Sequence, residues 1–239
     1  PIYNTAGSTG GAVTVYNIQN ILGSQSVARD ETVWGRSDST YGETFILFGG
    51  NDTALGGLGN DLYDMGAGDD RAYTNYGSDT LIGGAGDDTL ISVSGNNTLD
   101  GGANNSGGDW VYYNQKLVAL NLNMKNVDSS GYAIANFGSE TDRLKEIENI
   151  RGTIKADFIG GNDQNNTLDA FMGDGNTLIG SGGDDVLLGS SNGNDIFKAG
   201  ILLSDGTIID GDDGNNIING VGGTSNTVDY SAYASNRDR

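Results

Sequence analysis

The chain has no cysteine and no histidine, and a single proline among its 239 residues. Without cysteine no disulfide can staple a small core, and Cys-His catalysis and Cys-ligated zinc are excluded within this chain. Without histidine the Ser-His-Asp constellation and His-ligated zinc are excluded as well. A pair of carboxylates could in principle hydrolyse a glycoside, but the acids here are better explained by the chain's repeats, and no catalytic residue is nominated. Basic residues are scarce, with 12 Lys+Arg against 32 Asp+Glu and a net charge of −20. No basic stripe is available for phosphates, which argues against nucleic-acid binding. No apolar run approaches the length of a membrane-spanning helix, so no membrane insertion is expected. Neither a signal-peptide pattern nor an initiator Met is visible, and a chain starting at Pro1 reads as processed or excised.

What the chain has in abundance is glycine, 41 residues, together with aspartate; only Glu31, Glu43, Glu140, Glu146 and Glu148 are glutamates. So much glycine argues against long helices, and the aspartate bias suits tight loops and metal ligation. Such acidity would ordinarily give a self-repelling, disordered chain. Here the apolar residues are periodic. Asp52, Asp61, Asp70, Asp79 and Asp88 stand nine residues apart, each followed two residues later by Ala54, Tyr63, Ala72, Leu81 or Leu90. One carboxylate and one inward side chain per nonapeptide is a repeat architecture.

The clearest copies are Gly56-Gly57-Leu58-Gly59-Asn60-Asp61-Leu62-Tyr63-Asp64 and Gly83-Gly84-Ala85-Gly86-Asp87-Asp88-Thr89-Leu90-Ile91. Glycines at positions one, two and four let the backbone take positive φ and expose carbonyl oxygens, while the aspartate at position six supplies a hard anionic oxygen. Calcium takes about six to eight such oxygens, more than one short turn offers, so the ion is expected between stacked turns. An isolated Asp-Gly cluster is ordinarily a plain turn. Repetition in fixed register favours ligation for Asp52 to Asp88, while for Asp157 and Asp212 the turn reading stays open.

The pattern G-G-x-G-x-D-x-U-x resembles the RTX, or haemolysin-type, calcium-binding repeat. The resemblance is close over Asp52 to Asn97 and weaker from Asp157 to Asn226. It implies an all-β fold, a right-handed parallel β-roll (a β-solenoid) with calcium-binding loops and two nonapeptides per turn. Stacked loops would then lie eighteen residues apart, with Asp52, Asp70 and Asp88 in one ladder and Asp61 and Asp79 in another, preceded by Glu43 and followed by Asn97. The candidate ligands are Asp52, Gly57, Gly59, Asp61, Gly66, Gly68, Asp70, Gly77, Asp79, Gly84, Gly86 and Asp88, and, in the second half, Gly183, Asp185, Gly193 and Asp195. Several Ca²⁺ ions are the expected cofactor, and folding should be coupled to their binding.

A longer repeat overlies the nonapeptides. Ile18-Gln19-Asn20-Ile21 matches Ile147-Glu148-Asn149-Ile150, and Asp109-Trp110-Val111 matches Asn226-Thr227-Val228. Two cassettes follow: residues 1–109 as a first block with an N-terminal strand, 110–146 as a β-rich connector, and 147–239 as a second, degenerate block. In the connector Val118, Leu120 and Leu122 alternate with polar residues and predict a half-buried strand; Leu144 and Ile147 could alternatively mark a helical turn. In the second block position six falls at Asp157, Asn166, Asn176, Asp185, Asp195, Asn216 and Asn226, with Ile159, Leu168, Leu178, Leu187, Phe197, Ile218 and Val228 at position eight. Fewer calcium sites and Asn–Asn ladders are expected there, with an insertion around Ile201 to Asp210 interrupting the stacking.

Phe45, Tyr63 and Phe197 read as inward core. Trp110, Tyr112 and Tyr113 read as a cap over the roll end or, alternatively, a carbohydrate platform. The functional expectation is a non-enzymatic, calcium-stabilised structural module of a secreted or bacterial cell-surface protein, of adhesin, surface-layer or filament type. The alternative is an accessory β-roll of a type I-secreted protease, lipase or polysaccharide epimerase. Neighbouring copies of the chain are possible partners, because its ends are out of phase with its own repeat.

Overall fold

A computed structural model describes residues 20–23, 29–37, 40–191, 193–198, 216–220 and 225–229, and the backbone alone at 13–14, 201–202 and 208–209. Asp212 lies outside them. Every regular element described is a β-strand, and no helix among the described residues is long and apolar enough to cross a membrane. The chain divides into two compact units, residues 1–112 with 142–147, and residues 113–141 with 148–239.

The first unit is a parallel β-roll built by the nonapeptide. Each repeat contributes one short strand, and successive repeats alternate between two sheets. One sheet contains Thr32–Trp34, Thr53–Leu55, Arg71–Tyr73, Thr89–Ile91 and Trp110–Tyr112. The other contains Asn20–Leu22, Thr44–Ile46, Leu62–Ala67, Thr80–Ala85, Thr98–Ala103 and Glu140–Lys145. Because side chains alternate along a strand, only the middle residue of each triplet points inward. Val33, Ala54, Ala72, Leu90 and Val111 therefore stack in parallel register on one side, and Phe45, Tyr63, Leu81, Leu99 and Leu144 on the other.

All ten of these side chains are buried. The rings of Phe45 and Tyr63 stack at 4.9 Å, and the Tyr63 hydroxyl crosses the interior to donate to the Tyr73 carbonyl at 2.9 Å. The alanines at 54 and 72 leave room for these rings. The repeat is 18 residues through Ala54, Ala72 and Leu90, as expected, and 21 residues at both flanks, Val33 to Ala54 and Leu90 to Val111. Leu144 lies in a strand, so the helical-turn alternative is not adopted.

The second unit repeats the plan with a looser period. Ile150, Leu168, Leu187 and Ile218 stack in one sheet, and Leu122, Ile159, Leu178, Phe197 and Val228 in the other. The inward alternation of the connector differs from the sequence expectation. It runs through Leu120, Leu122 and Met124, all buried, whereas Val118 is exposed and precedes the strand Asn121–Val127. That strand pairs antiparallel with Ala133–Phe137 and parallel with Phe158–Gly160, so it starts the second roll.

The insertion does not interrupt stacking. Leu187 pairs with Ile218 and Phe197 with Val228 across it, while Ile201–Leu202 and Ile208–Ile209 form a separate antiparallel pair. An insertion confined to a loop costs little, because loop-closure entropy grows only slowly with length. Val228, expected inward, is exposed on the last described turn.

Candidate metal centre

The turns between strands carry the acidic residues, and stacking places them in register. In the first ladder each backbone N–H donates to the carboxylate one turn further along. Glu31 donates to Asp52 Oδ1 at 2.7 Å, Asp52 to Asp70 at 2.6 Å, Asp70 to Asp88 at 2.8 Å and Asp88 to Asp109 at 2.7 Å. The second ladder runs from Glu43 to Asp61 at 2.8 Å, Asp61 to Asp79 at 2.8 Å, Asp79 to Asn97 at 2.9 Å and Asn97 to Asp142 at 2.8 Å. Asp52, Asp61, Asp70, Asp79 and Asp88 are all buried.

One amide bond satisfies only half of a carboxylate. The second oxygens of Asp52, Asp70, Asp79 and Asp88 are buried with no hydrogen-bond partner, whereas that of Asp61 accepts from Gly57 N–H at 3.0 Å. Neighbouring turns are about 4.8 Å apart, and two charges at that separation repel by about 3 kcal/mol even at an effective dielectric near 20.

Burial raises Asp52 to about 7 and Asp88 to about 6, against the lowering effect of the amides they accept from. It raises Asp70 and Asp79 to about 8, where the neighbouring ladder carboxylates add repulsion. Asp61 is also raised, chiefly by burial. These carboxylates are poorly solvated and short of counter-charge, and a bound cation remedies both.

The loops are shaped for a close approach. A Cβ on Gly83, at position one, would lie 2.3 Å from Asp88 Oδ2 and 2.6 Å from the Gly101 carbonyl, so only glycine lets the carboxylate fold over the turn. Gly84, at position two, has φ +114 and its Cβ would lie 2.0 Å from the Gly66 carbonyl one turn away. Several turns take left-handed backbone at position two even without glycine, at Phe48, Asn75 and Ser181. Such strain is tolerated where the surroundings over-determine it.

No three His, Cys, Asp or Glu side chains converge among the described residues. A cation here would draw on carboxylates of successive rungs and on backbone carbonyls, a donor set of hard oxygens suited to Ca²⁺ and unsuited to softer metals.

The sequence-nominated residues sort cleanly. Asp52, Asp70 and Asp88 share one ladder and Asp61 and Asp79 the other, with Gly57, Gly59, Gly68, Gly77 and Gly86 in the loops between and Gly66 and Gly84 within the strands Leu62–Ala67 and Thr80–Ala85. Gly183 and Asp185 sit on one ladder of the second unit and Gly193 and Asp195 on its other. Asp157, for which the turn reading stayed open, is a buried ladder member.

Three ladder members were missed: Glu31, Asp109 and Asp142. Each carries the local signal of an acid two residues before an inward apolar side chain, Val33, Val111 or Leu144. Spacings of 21 and 45 residues hid them from a nine-residue count. An outer ladder at position five was also missed. There Asp69 N–H donates to Asn51 Oδ1 and Asp87 N–H to Asp69 Oδ1, the opposite polarity to the buried ladders.

Trp110 and Tyr112 lie edge-to-face at 5.5 Å on the outer side of a strand, with the Arg71 guanidinium 5.7 Å from the Tyr112 ring. Tyr113 is fully buried beside Phe137 and cannot form part of an exposed platform.

Residues 49–72, 73–107 and 171–201 match the family profile described as the RTX calcium-binding nonapeptide repeat (4 copies). No curated protein matches the chain.

Proposed function

From the premise that residues 49–107 and 171–201 are RTX calcium-binding nonapeptide repeats, we propose that this chain is a non-enzymatic structural segment of an extracellular or cell-surface protein that acquires its fold on binding several Ca²⁺ ions. The observation that carries this reading is the row of buried carboxylates whose second oxygens have no protein donor, at Asp52, Asp70, Asp79 and Asp88. Ions would be held by these carboxylates and Asp61, with carbonyls of Gly57, Gly59, Gly66, Gly68, Gly77, Gly84 and Gly86. When bound, calcium supplies the positive charge that turns a repelling ladder into an attractive one. The chain's own part is to present the oxygens in register, exclude water with the inward column and keep side chains out of the loops. With no disulfide available, metal binding energy becomes folding energy.

An extracellular setting fits such a staple, since modules working outside cells bind calcium in about the 10⁻⁴–10⁻³ M range. Self-association of neighbouring copies belongs to the same proposal, as expected for stacked repeats. The test is circular dichroism and calcium titration of the purified chain. Chelation at neutral pH should sharply reduce the β signal and added Ca²⁺ restore it. Spectra unchanged in excess chelator, with no calcium bound by isothermal titration, refute the reading.

A further inference from the structure

The two units differ in how each rung of the ladder is closed. In the second unit no two carboxylates are adjacent along either ladder among the described residues. One ladder reads Asp157, Asn176, Asp195, Asn226 and the other Asn166, Asp185, Asn216, linked by amide-to-side-chain bonds of 2.8 to 3.1 Å. The expected Asn–Asn ladder is thus an alternation of Asn with Asp.

The amide orientation of each Asn is set by its neighbour. Asp157 N–H donates to Asn176 Oδ1, which turns Asn176 Nδ2 toward Asp195 Oδ1 at 2.8 Å and the Met172 and Gly173 carbonyls at 3.3 and 3.4 Å. Asn226 Nδ2 likewise reaches the Gly220 carbonyl at 3.1 Å and Asn166 Nδ2 the Glu148 carbonyl at 2.8 Å. At two of the three ladder aspartates, Asp157 and Asp195, the remaining carboxylate oxygens are met by hydroxyl residues, whereas Asp185 is flanked along its ladder by Asn166 and Asn216. Asp157 accepts from Thr153 N–H and Oγ1 at 2.6 and 2.7 Å, and Asp195 Oδ2 from Ser190 N–H and Oγ at 2.7 and 3.0 Å. The same device closes one rung of the first unit, where Asn97 Nδ2 donates to Ser92 Oγ and the Ser94 carbonyl, both at 3.0 Å.

An Asn Nδ2 thus stands over loop carbonyls beside a carboxylate, the placement a bridging cation would need. We infer that position-six asparagines, with Thr153 and Ser190, replace the metal in the second unit, so that it folds without calcium while the first unit requires it. On this assignment Gly183, Asp185, Gly193 and Asp195 hold no essential ion, although the repeat profile covers them. The inference rests on the calcium reading for the first unit and adds a boundary to it.

The test is amide hydrogen exchange of the full chain, with calcium and in excess chelator, at neutral pH. Chelation should speed exchange at residues 53–55, 62–67, 71–73 and 80–85 by at least about a hundredfold, and at 158–160, 167–169, 177–179 and 186–188 by less than about threefold. Loss of protection in both units overturns the inference and leaves calcium dependence standing. No response in either unit overturns both. In a second arm, Asn176→Asp puts carboxylates on three successive rungs with Asp157 and Asp195, and protection at 177–179 should become calcium-dependent. Protection of that variant equal in chelator and calcium also overturns the inference. Should the variant not fold, the exchange pattern of the unaltered chain decides.

Discussion

Replacing Asp70 by Asn should move stability in opposite directions with and without calcium. Asp70 Oδ1 accepts the Asp52 amide at 2.6 Å, and Oδ2 is buried without a partner. Asn keeps the acceptor and puts an N–H donor in place of the orphan oxygen, the arrangement already present at Asn97 and Asn176. In metal-free protein the Asp70 carboxyl sits at about 8 instead of 3.8. Near pH 7 the folded chain carries a proton that the unfolded chain releases, a penalty of up to roughly 4 kcal/mol at about 1.4 kcal/mol per pH unit. Allowing for solvent screening, Asp70→Asn should stabilise the metal-free chain by about 2–4 kcal/mol. With calcium the variant lacks an anionic ligand, and affinity should fall at least about tenfold. The β signal of both chains in chelator and their urea unfolding in saturating calcium measure the two effects. A variant less stable than the parent in chelator refutes the reasoning.

Acid should stabilise the metal-free first unit. Asp52, Asp70, Asp79 and Asp88 stand at about 7, 8, 8 and 6 against 3.8, so the stability they contribute is complete below about pH 4 and is lost as pH rises through 6 to 8. Melting in chelator checks this, and a higher melting temperature at pH 8 than at pH 5 contradicts it. Because protons and calcium compete for the same oxygens, calcium affinity should fall as pH drops through that window, read by titration calorimetry. Gly83→Ala puts a methyl 2.3 Å from Asp88 Oδ2 and should cost about 2–4 kcal/mol along with calcium affinity. Gly175→Ala, with open space around its Cβ and φ +84, should cost only about 1 kcal/mol; equal losses in urea unfolding would show that the loop contacts carry no energy. Leu81→Ala removes a fully buried rung of the inward column and should cost about 2–5 kcal/mol, with calcium stoichiometry unchanged in the folded fraction.

The nine-residue period determined much of this molecule without any coordinates. A glycine-rich turn, one aspartate and one inward apolar residue per nonapeptide marked the repeat, and its resemblance to the RTX nonapeptide implied a parallel roll with two repeats per turn. The inward residues from Phe45 to Leu90 were legible from the period, and the two acidic ladders from that resemblance. Period counting failed where chain length between turns varied, because stacking depends on where strands pair and not on how many residues join them. Hence Glu31, Asp109 and Asp142 became ladder members only in three dimensions, and the insertion before Ile217 proved harmless to pairing. The hydrogen-bond partner of each buried oxygen was likewise decided by tertiary structure alone. Asp70 and Asp195 occupy the same position of the same repeat, yet one keeps an orphan oxygen and the other is closed by Ser190 and its neighbouring asparagines. That difference depends on side chains five residues away along the chain or one turn away across it, which a motif read position by position does not weigh together.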